Sequence, residues 1–137
     1  MLILWIDDDV ANLEAQQEYL ADEGFVVEVI DNLDDAWHRL TSEAAPFPDV
    51  IILDVMMATG KLLIDEETKG GLTSGANFLR KLHTSGLQQR TRVVVYTIVA
   101  DLDAKDMVEQ LGVPFVRKQS APGKRIVELI KREIRSL

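Results

Sequence analysis

Residues 49–54 read DVIILD, four consecutive apolar side chains between Asp49 and Asp54. The run is too short for a helix, and it lacks the apolar/polar alternation of a half-solvated strand. It reads as a strand buried on both faces, and it stops abruptly in a carboxylate. The chain opens the same way: residues 2–6, LILWI, run into Asp7, Asp8 and Asp9. Neighbouring like charges repel and resist burial. Two buried strands that both end in aspartate therefore call for a chemical reason.

The rest of the chain repeats the strand-then-helix order. FVVEVI (25–30), TRVVVYTIV (91–99) and VPFV (113–116) read as three further strands. Between them lie amphipathic segments. Residues 12–24 place Leu13, Gln16 and Leu20 on one face and Gly24 as a stop. Residues 32–44 begin at Asn32, a residue suited to an N-cap, and turn Ala36, Trp37 and Leu40 inward. Residues 75–86 and 101–112 are helical, the second closed by Gly112. The last helix spans 123–137, with Pro122 in its first turn and Ile126, Leu129, Ile130 and Ile134 as its stripe. Asp9 is the expected cap of the first helix.

Five strands alternating with five helices, the strands apolar throughout, predict a single α/β domain over 1–137. It is a doubly wound five-stranded parallel sheet with helices on both faces. Only residues 59–74 break the order. They hold clustered glycines and turns without a lasting period. Loops of this length are uncommon in compact domains and usually serve as lids, binding loops or disordered links. The segment is expected to be a functional or mobile excursion, and removal of residues 61–69 is expected to leave the fold intact.

Composition narrows the function. The chain has 137 residues, 47% of them hydrophobic, and a net charge of −8. That charge argues against direct nucleic-acid binding. From Arg117 onward there are seven basic residues against two acidic ones, read as a solvated amphipathic face. No cysteine is present, so there is neither a disulfide framework nor a thiolate metal site. No apolar run is long enough to span a membrane, and no signal peptide is evident at residues 1–10. A cytoplasmic location is expected. His38 and His83 read as surface residues and Trp5 and Trp37 as packing. Asp65, Glu66 and Glu67 read as a solvated acidic turn rather than a second cation site.

Ligands of such sheets bind beyond the carboxyl ends of the strands. Asp7, Asp8 and Asp54 converge there if the first and third strands are neighbours. Three carboxylates in one crevice raise one another's pKa. A hard divalent cation such as Mg²⁺, which prefers oxygen ligands and retains open positions, relieves this. Thr97 and Lys118, at the ends of the fourth and fifth strands, add a hydroxyl and an ammonium. The set suits a carboxylate that accepts a phosphoryl group.

At LWIDDD, PDVIILDVMM, VVVYT and FVRK the chain resembles the response-regulator receiver domains of two-component signalling, over essentially its full length. The resemblance implies a flavodoxin-like strand order of 2-1-3-4-5 and a phosphorylation-controlled switch rather than an enzyme in the ordinary sense. It makes Asp54 the phosphoacceptor, with self-catalysed phosphorylation and dephosphorylation at most. Asp8 is the principal Mg²⁺ ligand, Asp7 its helper, and the Met56 backbone carbonyl a further ligand. Thr97 and Phe115 fall at the switch positions. A histidine kinase or phosphotransfer protein is the implied donor. Output is expected through the face of the fourth helix, fifth strand and fifth helix, or through the long loop. The side chains of Met56 and Val99 fall where the family tunes the attacking water, and both are apolar, which implies a long-lived phosphate. This chain departs from the family at Gln119 and Ala58, where proline is common, and at Ile98, where a small residue is usual and crowding of the phosphoryl site is implied. It also carries about 13 extra residues between Asp54 and Gly75. Two other readings compete: a receiver-like binding module independent of phosphorylation, and a haloacid-dehalogenase-like phosphohydrolase. The second is opposed by Val10 and Ala11 following Asp9, where that family's pattern requires threonine.

Overall fold

The computed structural model describes residues 1–98 and 101–135. Its frame is the pairing of β1 (Leu2–Ile6) with β3 (Val50–Leu53), parallel and in a register that sets Ile6 beside Leu53. β2 (Val26–Ile30) lies outside β1, and β4 (Arg92–Thr97) and β5 (Phe115–Arg117) extend the other side. The order is β2-β1-β3-β4-β5, all neighbours parallel. The expected topology is therefore present.

Strand side chains alternate between the two faces of the sheet. Leu4, Ile6, Ile51, Leu53, Val93 and Val95 form one core layer, with α2 (Leu33–Thr41), α3 (Ser74–Thr84) and α4 (Leu102–Gln110). Ile3, Trp5, Val50, Ile52, Val94 and Tyr96 form the other, with α1 (Glu14–Asp22) and α5 (Arg125–Arg135). Burial on both faces is why these strands are apolar throughout. Edge strand β2 is half-exposed and carries Glu28, which pairs with Arg39 at 2.9 Å.

Helix ends follow local chemistry. The Asn32 side chain accepts from the Asp35 N–H at 2.8 Å, and Asp101 accepts from the Ala104 N–H at 3.0 Å. Gly24 takes φ +94° after α1, and its N–H bonds the Ala21 carbonyl. Three expectations are corrected. Asp9 makes no side-chain cap; it precedes a 3₁₀ turn, Val10–Leu13, and binds the Asn12 amide at 2.8 Å instead. β5 begins two residues later than its apolar run, because the Pro114 carbonyl, not a Val113 pair, meets the Val95 N–H. Pro122 lies in a turn before α5, whose first residue, Arg125, donates to the Pro122 carbonyl.

The long segment after β3 is a string of turns fastened to three helices. Asp34 of α2 receives the Lys61 and Leu62 N–H groups, each at 2.9 Å. Asn77 of α3 donates to Glu66 and to the Glu67 carbonyl, and Lys81 pairs with Glu66 at 3.2 Å. Lys69 bridges to Asp101 and Asp103 at the start of α4. Leu63 is fully buried in the core. Removal of residues 61–69 would take out a core side chain, so the expectation of a freely detachable segment does not hold. The acidic turn is tied down by lysine and amide partners.

Candidate functional site

Strand register brings the aspartates together. Asp7 continues β1, its N–H donating to the Ile30 carbonyl at 3.1 Å; the Asp54 N–H donates to the Ile6 carbonyl at 3.0 Å. Asp7 and Asp54 thus leave neighbouring strands side by side. Thr97 closes β4, and Lys118 is the first residue beyond β5, where Thr97 pairs with Arg117.

Gly75 completes the floor. Its N–H donates to the Val55 carbonyl at 2.7 Å, and a Cβ there would lie 2.0 Å from the Asp54 carbonyl oxygen. Only glycine lets α3 start so close to the end of β3.

Asp7 is fully buried and Asp54 is 5% exposed, whereas Asp8 is exposed. Asp7 Oδ1 accepts the Asp9 N–H at 2.8 Å, and Asp7 Oδ2 accepts from Lys118 Nζ at 2.8 Å. Lys118 Nζ is 4.0 Å from Asp54 Oδ2. Asp54 Oδ1 accepts the Val55 N–H at 2.8 Å, and the buried Thr97 side chain also hydrogen-bonds Asp54. Burial, then the Asp7 charge, pushes the Asp54 carboxyl up to about 6, against the opposing pull of Thr97, Lys118 and the Val55 N–H. Asp8 is also raised, by desolvation first and Asp7 second.

One carboxylate oxygen from each of Asp7, Asp8 and Asp54 lies within 4.8 Å of the others. Lys118 faces this triad, paired with Asp7 and near Asp54. Asp54 is raised first by burial and second by the neighbouring Asp7 charge, and three converging carboxylates are a ligand set that suits a hard divalent cation.

A family model described as the response regulator receiver domain matches residues 3–131. The chain belongs to the response-regulator receiver family. Solved receiver structures share its fold. A CheY-like receiver protein from Methanospirillum hungatei has a TM-score of 0.76 at 20% identity, covering 98% of this chain and 94% of that one. The BeF3-activated N-terminal receiver domain of Klebsiella pneumoniae RstA has a TM-score of 0.73 at 20% identity, covering 98% and 99%. Chemotaxis protein CheY4 of Vibrio cholerae has a TM-score of 0.71 at 20% identity, covering 96% and 97%. No curated protein matches the chain. Among the described residues, no helix of this receiver domain is long and apolar enough to cross a membrane.

Other expected positions in the receiver domain fall at or near the site. Met56 lies in the turn after Asp54 with its side chain half-exposed. Phe115 sits opposite Val95 and packs against the layer containing Ala104 and Val108. Thr97 is two residues beyond Val95, so it and Phe115 share a sheet face. Phe115 lies outside the carboxylate cluster. Ile98 is 58% exposed. The Lys118–Gln119 bond is trans, since no cis peptide occurs among the described residues. Val99 lies outside the described residues. Sequence reading missed Gly75 as a contact point, the Asp34 clamp and the hydrogen bonds of Tyr96. The one sequence signal was a tyrosine directly after three valines, Val93 to Val95, in the same strand.

Proposed function

We propose that the protein is a phosphorylation-controlled signalling switch in which Asp54 accepts the phosphoryl group. The observation that carries this reading is the Asp54 carboxylate itself: it is nearly buried, raised to about 6, and faced by Lys118 at 4.0 Å and by Thr97. A carboxylate oxygen of Asp54 attacks phosphorus in a phosphohistidine of a histidine kinase or phosphotransfer protein. The P–O bond forms, the P–N bond breaks, and the imidazole leaves. Lys118 and Thr97 stand where the new phosphoryl oxygens gather charge. Asp7, Asp8 and Asp54, with the Met56 backbone carbonyl as a further ligand, would hold Mg²⁺, which would supply Lewis-acid neutralisation of that charge when bound. The receiver domain is not otherwise an enzyme. Thr97 and Phe115, on one sheet face, are the residues through which phosphorylation alters the α4–β5–α5 surface. A cytoplasmic setting suits a kinase-fed switch.

Incubation with acetyl phosphate and Mg²⁺ tests the reading. The expected result is a mass gain of one phosphoryl group, abolished in Asp54→Asn and in the presence of a chelator. A gain that persists in Asp54→Asn places the acceptor elsewhere. No gain in the parent favours a binding module independent of phosphorylation.

A further inference from the structure

Tyr96, the penultimate residue of β4, is fully buried, its ring edge-on to Trp5 with centroids 6.0 Å apart. A buried phenol needs a partner for its hydroxyl. The Tyr96 hydroxyl donates to the Ala121 carbonyl at 2.7 Å and also hydrogen-bonds the Gln16 side chain of α1. The Ala121 N–H donates to the Lys118 carbonyl at 3.3 Å, closing the 3₁₀ turn Lys118–Ser120. The Lys118 ammonium lies 5.9 Å from the Tyr96 ring centroid, within the range of a cation–π contact. Tyr96 therefore reaches Lys118 twice, at its charged head and, through Ala121, at its backbone.

Core packing alone does not account for the hydroxyl. Val93, Val94 and Val95 fill the preceding positions of the same strand, and phenylalanine would fill this one without a polar atom to satisfy. The hydroxyl spans from the sheet to a loop whose only regular structure before α5 is a three-residue turn. A lysine on such a turn has four rotatable side-chain bonds and a backbone that shifts with the loop.

We propose that Tyr96 is a positioning residue, whose hydroxyl, through Ala121, holds the Lys118 turn so that the ammonium stays between Asp7 and Asp54. This rests on the reading of Asp54 as phosphoacceptor. Gln16 extends the tie to α1, so strand, helix and loop meet at one oxygen.

Tyr96→Phe keeps the ring and removes only the hydroxyl. With acetyl phosphate and Mg²⁺, the phosphorylation rate should fall roughly two- to tenfold, the equivalent of one net hydrogen bond. Mg²⁺ affinity should not fall, since Asp7, Asp8 and Asp54 are untouched and a displaced Lys118 ammonium only removes a competing positive charge. In a Lys118→Ala background the same substitution should have no further effect, because its action passes through Lys118. An equal loss in both backgrounds marks a general packing defect and overturns the proposal. Amide hydrogen exchange at Ala121 gives a readout that needs no phosphorylation. It should quicken severalfold in Tyr96→Phe, and unchanged exchange also overturns the proposal. If the parent takes up no phosphoryl group, the reading of the site fails, and exchange at Ala121 alone decides whether the tie exists.

Discussion

Asp7 and Lys118, at opposite ends of the chain, form an ion pair of 2.8 Å in which the carboxylate is fully buried and the lysine nearly so. The pair lies at the carboxyl ends of β1 and β5, two strands that are not neighbours in the sheet. It spans β3 and β4, and so fixes the width of the crevice holding Asp54.

Removing one partner of such a pair leaves a buried, uncompensated charge. Lys118→Ala should lower stability by about 3 kcal/mol in the absence of divalent cations. Mg²⁺ should restore more of the variant's stability than it adds to the parent, because it supplies the missing positive charge. Urea unfolding with and without Mg²⁺ checks both, and equal Mg²⁺ effects on the two proteins would count against a metal at this site.

The raised Asp54 makes stability depend on pH in a defined direction. The folded state holds its proton up to about pH 6, the unfolded state only up to 3.8. Between these limits the native protein binds more protons, so the contribution of Asp54 falls as pH rises. In metal-free buffer, Asp54→Asn should gain stability relative to the parent across this window and keep the gain above it. Mg²⁺ competes with the same proton, so its affinity for the parent should weaken as pH falls through about 6. Chelator-controlled unfolding and Mg²⁺ titration across the window test the two statements.

Mg²⁺ binding should depend on Asp8, the exposed member of the triad. Trp5 lies three residues upstream on β1, against Tyr96, and its fluorescence is a convenient signal. If Asp8→Asn titrates as the parent does, the triad is not the ligand set.

Gly75→Ala puts a methyl carbon 2.0 Å from the Asp54 carbonyl oxygen and 2.6 Å from Val55 Cα, both backbone atoms. Relief requires moving the start of α3 or the end of β3, at a cost of about 1–3 kcal/mol or more. Because the clash is with Asp54 itself, phosphorylation should slow along with the loss in unfolding free energy. Full activity in a folded variant would show that α3 can withdraw without disturbing the acceptor.

Leu63→Ala should destabilise the domain by about 2–5 kcal/mol, as for a core leucine, although it lies in the segment between β3 and α3. A change within the range of an exposed site would mean that the segment does not share the core.

An aspartyl phosphate at Asp54 should be long-lived. The side chain of Met56, two residues on, cannot deprotonate water and does not orient it strongly. Met56→Asn should shorten the lifetime in excess Mg²⁺, measured as decay of the phosphorylated mass; a longer lifetime would remove the argument.

The parallel sheet was legible because strands buried on both faces must be apolar at every position, as in LILWI and VIIL. The carboxylate cluster was legible because ligands of such a sheet collect at strand ends: Asp7 and Asp54 follow apolar runs, Thr97 closes β4, and Lys118 is the first residue beyond β5. Helix stops at Gly24 and Gly112 and the cap at Asn32 depend on a few neighbouring residues, so local sequence determined them as well. Other features depended on contacts between distant parts of the chain. Asp9 lost its capping role because the first turn is 3₁₀, and Pro122 fell outside α5 because a separate turn precedes that helix. Leu63 gave no periodic signal, since one buried leucine in a string of turns has no face to define. The partners of Lys118 and the hydroxyl of Tyr96 were likewise set by folding. An ion pair or hydrogen bond needs two groups at a fixed separation, and for residues as far apart as Asp7 and Lys118, or Tyr96 and Ala121, only the packed sheet and its crossovers impose it.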